Sequence, residues 1–267
     1  MKRCIFSIFV GDHSNYYAEN QHFKYGAGKI YIDLYDEILS NHKSYASMVN
    51  ADYLLADDSD DWKMFLENIL SKYPRMSIYN IINHYKFHMA EKLVEIYDEV
   101  LYLDFDAFFN TKENFFIAHD LKNFCCLFHP MTPAPSWHVS RSTNIGIPKL
   151  RLIKSWYTQV ALEKINIDPF EVDFGAINTG VMGYSKPTIE QLEYFKIFEK
   201  IVPLMIDYED DCSVDNEVIF ACATLTNDVP ILQLDRSWNW HPKKKPYTGK
   251  ICHFTIKENM KGFFEKS

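Results

Sequence analysis

Short apolar runs alternate along the chain with longer segments in which apolar residues recur every three or four positions. The short runs predict strands, because a few consecutive apolar residues bounded by turn residues suit a strand buried on both faces. The longer segments predict helices, since that spacing places the apolar side chains on one helical face. The predicted strands cover residues 4–10, 51–56, 100–103, 124–128, 174–184, 231–234 and 250–254. The predicted helices cover residues 29–49, 60–73, 76–96, 149–165, 188–202 and 215–225.

The alternation of strands and helices predicts an α/β protein. Strand, helix and strand follow one another from the first residues, which is the order of a parallel crossover unit. Residues 130–148 interrupt the pattern with Pro130, Pro133 and Pro135, and they are predicted to form a long functional loop. A chain of 267 residues with 47% hydrophobic content can bury a sizeable core, so we expect one large domain.

Two carboxylates directly follow the apolar run at residues 100–103. In an extended chain Asp104 and Asp106 would lie on the same side, so both could face one hard cation where the strand enters a loop. Ligand sites in open α/β sheets gather at the carboxyl ends of strands. Asp-x-Asp also occurs in ordinary solvated turns, as at residues 57–61, so spacing alone leaves both a metal site and an exposed strand end open.

Composition and charge narrow the class of partner. The net charge is −8, the pI is near 5.7, and the longest basic run covers only residues 243–245. Nucleic-acid binding depends on neutralising phosphates, so we expect no nucleic-acid partner. The six cysteines form no Cys-x-x-Cys pair, which favours a reducing compartment, and no apolar segment is long enough to span a bilayer. These features predict a soluble, unprocessed, cytoplasmic protein.

Several polar residues stand at positions that admit two interpretations. Asn178 lies in a glycine-rich apolar run and is either a satisfied buried amide or a ligand contact. Asp215 is either a helix N-cap or a functional acid. Lys86 is a surface lysine with a packed stem or a site residue. His253 ends the last predicted strand as a neutral structural side chain or a ligand.

The two tryptophans of residues 237–240 also admit two interpretations. Sugars present flat C–H faces that stack on aromatic rings, but tryptophan pairs also belong to cores. Trp238 and Trp240 are therefore candidates for sugar contacts or for core packing.

Taken together, these segments resemble the metal-dependent glycosyltransferases of the GT-A fold, and most closely the glycogenin and galactinol synthase group. The resemblance is carried by scattered motifs in the same order over nearly the whole chain: residues 97–106 with their Asp-x-Asp, the preceding Lys86, residues 177–182, Asp215-Asn216, residues 238–240 and His253-Phe254. It implies a mixed, mainly parallel sheet flanked by helices, with residues 1–106 as a nucleotide-binding half and residues 107–267 as an acceptor-binding half.

The chain departs from that group at several positions. Phe105 is bulky where the group prefers a small residue, and Asn216 replaces a glutamine. Ile256 and Asn259 stand where the group has a glycine and a diphosphate-binding lysine. The departures indicate a more distant family member, of the kind found in bacteria or large DNA viruses.

The resemblance implies a nucleotide-sugar donor, typically a UDP-sugar, and a glycan, glycoprotein or other hydroxyl acceptor. It implies a Mn²⁺ ion, with Mg²⁺ as the alternative, held by Asp104, Asp106 and His253. The other donor contacts that it implies are Val10 and Asp12 at the base, Tyr17 as a stacking partner, Lys86 beside the donor, and Lys257 or Lys261 at the diphosphate. A homodimer is a further expectation.

The resemblance leaves the stereochemistry open. In an inverting enzyme Asp215, or a neighbour within 210–217, would take the acceptor proton. In a retaining enzyme, which the nearest pattern favours, Asp215 and Asn178 would position sugar and acceptor. Trp238, Trp240 and residues 130–148 are the expected acceptor contacts.

Two other functions fit part of the pattern. An apolar strand followed by Asp-x-Asp also opens haloacid-dehalogenase-like phosphatases, in which Asp104 would attack phosphorus. That class expects Thr or Val where this chain has Phe108, and it places the motif earlier in the chain. A sugar- or nucleotide-binding module without turnover is the non-enzymatic alternative.

Overall fold

The computed structural model describes residues 1–10, 27–131, 133, 149–173, 175–208 and 211–265. The strands are β1 (Arg3–Ile8), β2 (Asp52–Ala56), β3 (Glu99–Leu103), β4 (Ala107–Phe109), β5 (Phe124–Pro130), β6 (Gly175–Ser185), β7 (Ile231–Gln233) and β8 (Ile251–His253). The helices are α1 (Ala27–Asp33), α2 (Tyr35–Met48), α3 (Asp60–Lys72), α4 (Ile78–Leu93), α5 (Phe115–Ala118), α6 (Lys149–Lys164), α7 (Lys186–Leu192), α8 (Tyr194–Met205), α9 (Asn216–Thr226) and α10 (Lys261–Phe264). Short 3₁₀ turns lie at Asp211–Val214, Arg236–Asn239 and Lys257–Met260.

The central sheet has the strand order β2-β1-β3-β6-β5-β7 over the described residues. β1 pairs in parallel with β2 and β3, and β5 pairs in parallel with β7. β6 lies antiparallel between β3 and β5. Within this sheet β6 therefore runs opposite to the other strands, which confirms the expected mixed, mostly parallel architecture.

The apolar run of β3 is continuous because both faces of the sheet are covered. Val100 and Tyr102 belong to the larger core cluster, whereas Leu101 and Leu103 belong to a second cluster on the other face. All four side chains are at most 2% exposed. β3 is thus the central, doubly buried strand that the sequence predicts, and its carboxyl end opens toward the site.

Two predicted helices are each two helices in the structure. The segment over 29–49 divides at Leu34 into α1 and α2, and the segment over 188–202 divides at Glu193 into α7 and α8. Glu193 has φ 44° and ψ 44°, the left-handed region, which a right-handed helix cannot pass through. The apolar spacing continues across both divisions, so periodicity alone did not detect them. No helix within the described ranges combines the length and apolar composition needed to cross a membrane.

Candidate active site

Asp104 and Asp106 lie on the tight turn that joins β3 to β4, whereas the sequence spacing suggested an extended strand end. The Ala107 N–H donates to the Asp104 carbonyl at 2.9 Å, which closes the turn. The Asp104 N–H donates to the Gly180 carbonyl of β6 at 2.8 Å. The turn is therefore tied to the central sheet, and it presents both carboxylates on one side.

His253 arrives beside these carboxylates because β8 pairs with β4. Ala107 stands opposite His253 in that antiparallel ladder, and the Phe254 N–H donates to the Asp106 carbonyl at 2.9 Å. The His253 Nε2 lies 3.4 Å from Asp104 Oδ2 and 3.5 Å from Asp106 Oδ1. One ligand atom from each of these three residues lies within 4.8 Å of the others. A residue near the end of the chain thus completes a cluster begun in its middle.

A chain of amides determines which nitrogen of His253 carries the proton. The Gly180 N–H donates to Asn178 Oδ1 at 3.1 Å, and the Asn239 Nδ2 donates to the same oxygen at 2.7 Å. The Asn239 Oδ1 therefore faces His253 Nδ1, at 3.0 Å, and must accept its hydrogen. The Nε2 lone pair then points toward the two carboxylates.

Burial keeps this imidazole neutral. It lowers the pKa of His253, with Asp104 acting in the opposite direction and Lys86 in the same one. A neutral Nε2 and two carboxylates bring three electron-rich groups together, and a cation between them would offset their mutual repulsion. Oxygen ligands with one imidazole suit Mn²⁺ or Mg²⁺, so the residues present fit the expected divalent ion.

Gly180 keeps the space for the imidazole clear. A Cβ at this position would lie 2.2 Å from His253 Cε1 and 2.9 Å from Asp104 Oδ2. Such contacts are far below van der Waals distance, so a larger residue would displace the histidine or the aspartate. The group that approaches this glycine-rich strand closely is the His253 ring.

Lys86 of α4 holds Asp104 from behind. Its Nζ lies 2.8 Å from Asp104 Oδ1, and the Tyr102 hydroxyl donates to the same oxygen at 2.6 Å. Burial alone would raise the pKa of Asp104, but the Lys86 charge, His253 and these hydrogen bonds lower it to about 2. Lys86 is only 4% exposed and lines the cavity, so it is not a surface lysine.

The two lysines considered for the diphosphate lie in different places. The Lys257 Nζ forms an ion pair with Asp106 Oδ2 and donates to the Phe254 carbonyl at 2.9 Å. Burial lowers the pKa of Lys257 to about 8, although Asp104 acts to raise it. Lys261 instead points to Asp33 of α1, 3.7 Å away, and is half exposed. Lys257 is therefore the lysine adjacent to the cluster.

A cavity of about 650 Å³ opens over the cluster, a volume within the usual range for small-molecule sites. Ile8, Tyr31 and Phe105 line it at the β1 end of the sheet. The bulky Phe105 is accommodated because its ring packs on Phe9 with centroids 4.5 Å apart. Val10 is fully buried in the core beside this end. The other two predicted base contacts, Asp12 and Tyr17, lie outside the described residues.

Lys154 of α6 also lines the cavity, where it joins two carboxylates. Its Nζ lies 3.0 Å from Asp215 Oδ2 and 2.8 Å from Glu217 Oε2. Asp215 also caps α9 by accepting from the Glu217 N–H at 2.8 Å, and it lines the cavity. Glu217 Oε1 accepts from the Thr179 N–H of β6, and Asn216 donates to the Thr179 hydroxyl at 2.8 Å.

The sequence analysis did not identify Lys154 as a candidate, and it included Glu217 only as a member of the range 210–217. Lys154 and Arg151 are spaced i and i+3 on α6 and therefore share one helical face. Both line the cavity. Arg151 and Lys154 stand among the apolar residues of α6, and this placement could have indicated a site. The apolar spacing of the helix made it look like an ordinary core helix.

The two tryptophans separate. Trp240 lines the cavity and is 38% exposed, whereas Trp238 is 2% exposed and packs edge-on against Phe115, with ring centroids 5.3 Å apart. The core interpretation therefore describes Trp238, which does not line the cavity. The expected acceptor loop over 130–148 falls mostly outside the described residues.

Comparison with known proteins places this geometry in a fold. No family model and no curated protein matches the chain. Among solved structures, the galactosyltransferase LgtC in complex with donor and acceptor sugar analogues aligns over 99% of this chain and 97% of its own, with 12% identity and a TM-score of 0.52. The chain also aligns with a glycosyltransferase involved in glycosylation of the major capsid of PBCV-1 (14% identity, 99% and 100% of the two chains, TM-score 0.46) and with mouse xyloside xylosyltransferase 1 (11%, 96% and 98%, 0.46). The likeness to LgtC shows the fold, which is the GT-A fold of glycosyltransferases.

Proposed function

We propose that this chain is a glycosyltransferase that moves a sugar from a nucleoside diphosphate sugar, in the first instance a UDP-sugar, to a hydroxyl group of a glycan or another acceptor. The observation that carries the proposal is the neutral Nε2 of His253 facing two carboxylates at 3.4 and 3.5 Å at the base of a cavity of about 650 Å³. That arrangement suits a Mn²⁺ or Mg²⁺ ion held by Asp104, Asp106 and His253. Such an ion, when bound, stabilises the charge on a departing diphosphate.

The remaining residues at this end have roles that follow from charge. Lys257 beside Asp106 and Lys86 beside Asp104 bring two ammonium groups to the same place, where they would offset the negative charge of a diphosphate. Phe105 and Tyr31 provide aromatic surface for a nucleotide base next to them. These contacts support a donor position between the carboxyl end of β1 and the cluster.

The contacts of Asp215 and Asn178 favour positioning over proton transfer. Asp215 is 2% exposed, and its oxygens are bound by Lys154 and by the Glu217 N–H. Both carboxylate oxygens are therefore engaged by other groups, so neither is free to approach an acceptor hydroxyl. Asn178 holds Asn239, and through it His253. Both roles accord with the retaining reaction that the motifs favour.

Release of nucleoside diphosphate tests the proposal directly. The protein is incubated with Mn²⁺ and a panel of nucleotide sugars, and release of the diphosphate is followed. We expect slow release with a UDP-sugar, abolished by EDTA and reduced at least about a hundredfold by Asp106→Asn, since one charged ligand is lost. Asp207→Asn is the matched control, because Asp207 is 80% exposed and pairs with Arg75.

The same experiment separates the alternatives. Phosphate release from phosphomonoesters without nucleotide-sugar hydrolysis would make the chain a phosphatase. We do not expect this result, because Lys86 and Tyr102 already bind Asp104 Oδ1, an oxygen of the expected nucleophile. Saturable binding of a nucleotide sugar without any product would make it a binding module. Either outcome would replace the glycosyltransferase proposal.

A further inference from the structure

Part of the lining of the cavity is basic. His129 from β5, Arg151 from the first turn of α6, Arg236 from the 3₁₀ turn Arg236–Asn239 and His241 all line the cavity there. We call these four residues the basic wall. The chain as a whole carries a net charge of −8, so this concentration of basic residues is not a consequence of composition.

The two guanidinium groups of the basic wall have no carboxylate partner among the described residues. Arg3 and Arg75, in contrast, pair with Glu99 and Asp207 at 2.8 and 2.7 Å. The Arg151 Nη2 instead lies 3.5 Å from His241 Nε2, a neutral acceptor that offers no charge. Unlike Arg3 and Arg75, Arg151 and Arg236 thus have no ion-paired carboxylate among the described residues that offsets their positive charge.

Glu217, the acid that acts on Arg151, already binds other groups. Burial lowers the pKa of Arg151, Glu217 acts to raise it, and the neighbouring Arg236 acts to lower it further. The Glu217 carboxylate binds Lys154 and the Thr179 N–H, so it cannot also form a close pair with Arg151. The two like charges of the basic wall face a cavity from which an anion would remove their mutual repulsion.

His129 supplies an independent sign of a missing ligand. Its Nε2 is buried and, over the described residues, has no hydrogen-bond partner. Burial, Arg151 and Arg236 together lower the pKa of His129 to about 4, so the ring is neutral at pH 7 and can donate or accept one hydrogen bond. A buried polar atom left without a partner costs roughly 1–3 kcal/mol, which a polar ligand in the cavity would recover.

The position of the basic wall indicates which substrate carries the anion. The donor diphosphate of the proposed function is accounted for by Lys86 and Lys257, which pair with Asp104 and Asp106. The basic wall meets this cluster at His241, whose ring centroid lies 4.8 Å from that of His253. Arg151 shares a helical face with Lys154, and Lys154 binds Asp215, which is proposed to position the sugar and the acceptor. Guanidinium groups bind phosphate and carboxylate through paired N–H donors. We infer that the basic wall binds an oxyanion, a phosphate or a carboxylate, carried by the acceptor. The assignment of this anion to the acceptor rests on the proposed function, whereas the anion subsite itself does not.

Binding measurements on the full chain test this subsite with the donor site filled. In Mn²⁺ and saturating UDP, calorimetry compares a hexose, its 6-phosphate and its uronic acid. We expect one of the two anionic sugars to bind at least about tenfold more tightly than the hexose, and the pair distinguishes phosphate from carboxylate. Arg151→Gln should weaken that binding roughly tenfold to a hundredfold, the range for a hydrogen bond to a charged group. Arg75→Gln, which removes the same charge outside the cavity, should not change it.

A second variant shows whether a loss of binding is caused by misfolding. Arg236 is exposed, so Arg236→Gln should leave the thermal midpoint unchanged and still weaken binding of the anionic sugar. Equal affinity for the hexose and both anionic sugars, unchanged affinity in both variants, or displacement of the anion by UDP would overturn the inference. If no nucleotide sugar is turned over but Arg151-dependent anion binding persists, the proposed function fails and the anion subsite stands.

Discussion

At the scale of single residues, the cluster depends on one proton of His253. Asn239 accepts that proton at Nδ1 and is itself held by Asn178, which is held by the backbone of Gly180. Second partners of this kind fix the tautomer of a ligating imidazole and typically change metal affinity ten- to a hundredfold when they are removed. The expected ion therefore depends on residues that would not touch it.

Asn239→Ala is expected to lower Mn²⁺ affinity about ten- to a hundredfold, because His253 would lose the acceptor that fixes its tautomer. Titration of Mn²⁺ followed by electron paramagnetic resonance measures this without any substrate. Asn227→Ala is the control, since Asn227 binds the Leu192 carbonyl at 2.8 Å and does not line the cavity. Equal affinities in the two variants would contradict the role given to Asn239.

Gly180→Ala is expected to impair both Mn²⁺ binding and donor hydrolysis, because the new Cβ would lie 2.2 Å from His253 Cε1. Gly183→Ala on the same strand provides the comparison, since its Cβ would meet the Phe115 ring at 2.6 Å instead. Both substitutions should lower stability by roughly 1–3 kcal/mol, the usual cost of overpacking. Only Gly180→Ala should lose Mn²⁺ affinity, and a similar loss in Gly183→Ala would indicate a general effect of strand distortion.

At the scale of elements, Lys154 connects α6 to the start of α9. It is 8% exposed and bound to two acids, of which Glu217 also holds the backbone of β6 at Thr179. Burial acts to lower the pKa of Lys154, but the carboxylates of Asp215 and Glu217 raise it well above its usual range, so the ammonium group stays charged at pH 7. The Lys154 ammonium group thus links α6 to the N-terminus of α9 and, through Glu217, to β6.

Lys154→Met is expected to destabilise the protein by about 3–5 kcal/mol, because two buried carboxylates would remain without their cation. Lys72→Met removes a lysine from the exposed pair with Glu199 and should cost less than about 1 kcal/mol. Urea denaturation at pH 7 measures both values. If the two variants lost the same amount of stability, Lys154 would not be the connecting element described here.

The elements that the sequence predicted well are those whose pattern is local. The apolar run of β3 and the capping residue of α9, Asp215, could both be read from neighbouring positions. The division at Glu193 could not, because one left-handed residue leaves apolar periodicity intact. The resemblance to known motifs placed His253 with Asp104, whereas the basic wall was missed because β5, α6 and the segment after β7 bring its residues together only in the folded sheet.

At the scale of the whole molecule, the interior contains histidines that must stay neutral. The His42 Nε2 lies 2.7 Å from the Ala107 carbonyl and the His84 Nε2 lies 2.9 Å from the Val214 carbonyl, so each Nε2 donates. Burial lowers the pKa of His42 to about 4 and that of His84 to about 3. Below pH 6.5 the unfolded chain binds these protons and the folded chain does not, so stability falls as the pH falls.

Replacing one of these histidines should make the stability less dependent on pH. The free energy of unfolding is expected to decrease from pH 7 to pH 5, and His84→Gln should reduce the slope by up to about 1.4 kcal/mol per pH unit, the effect of one proton. The glutamine amide can keep both bonds, to Val214 and to the Tyr194 hydroxyl. Denaturant titrations at several pH values measure the slope, and identical slopes in the two proteins would contradict the assignment.

The two predicted halves, residues 1–106 and 107–267, share one sheet. β3 from the first half pairs along its whole length with β6 from the second, and β4 and β8 close the turn that carries Asp104 and Asp106. Without β6, β3 would expose an unpaired edge and lose the cover of its apolar faces. We therefore expect a single unfolding transition by fluorescence and circular dichroism, and we expect a 1–106 fragment to remain unfolded. Two separate transitions, or a folded fragment with dispersed amide resonances, would instead make the donor half a domain of its own.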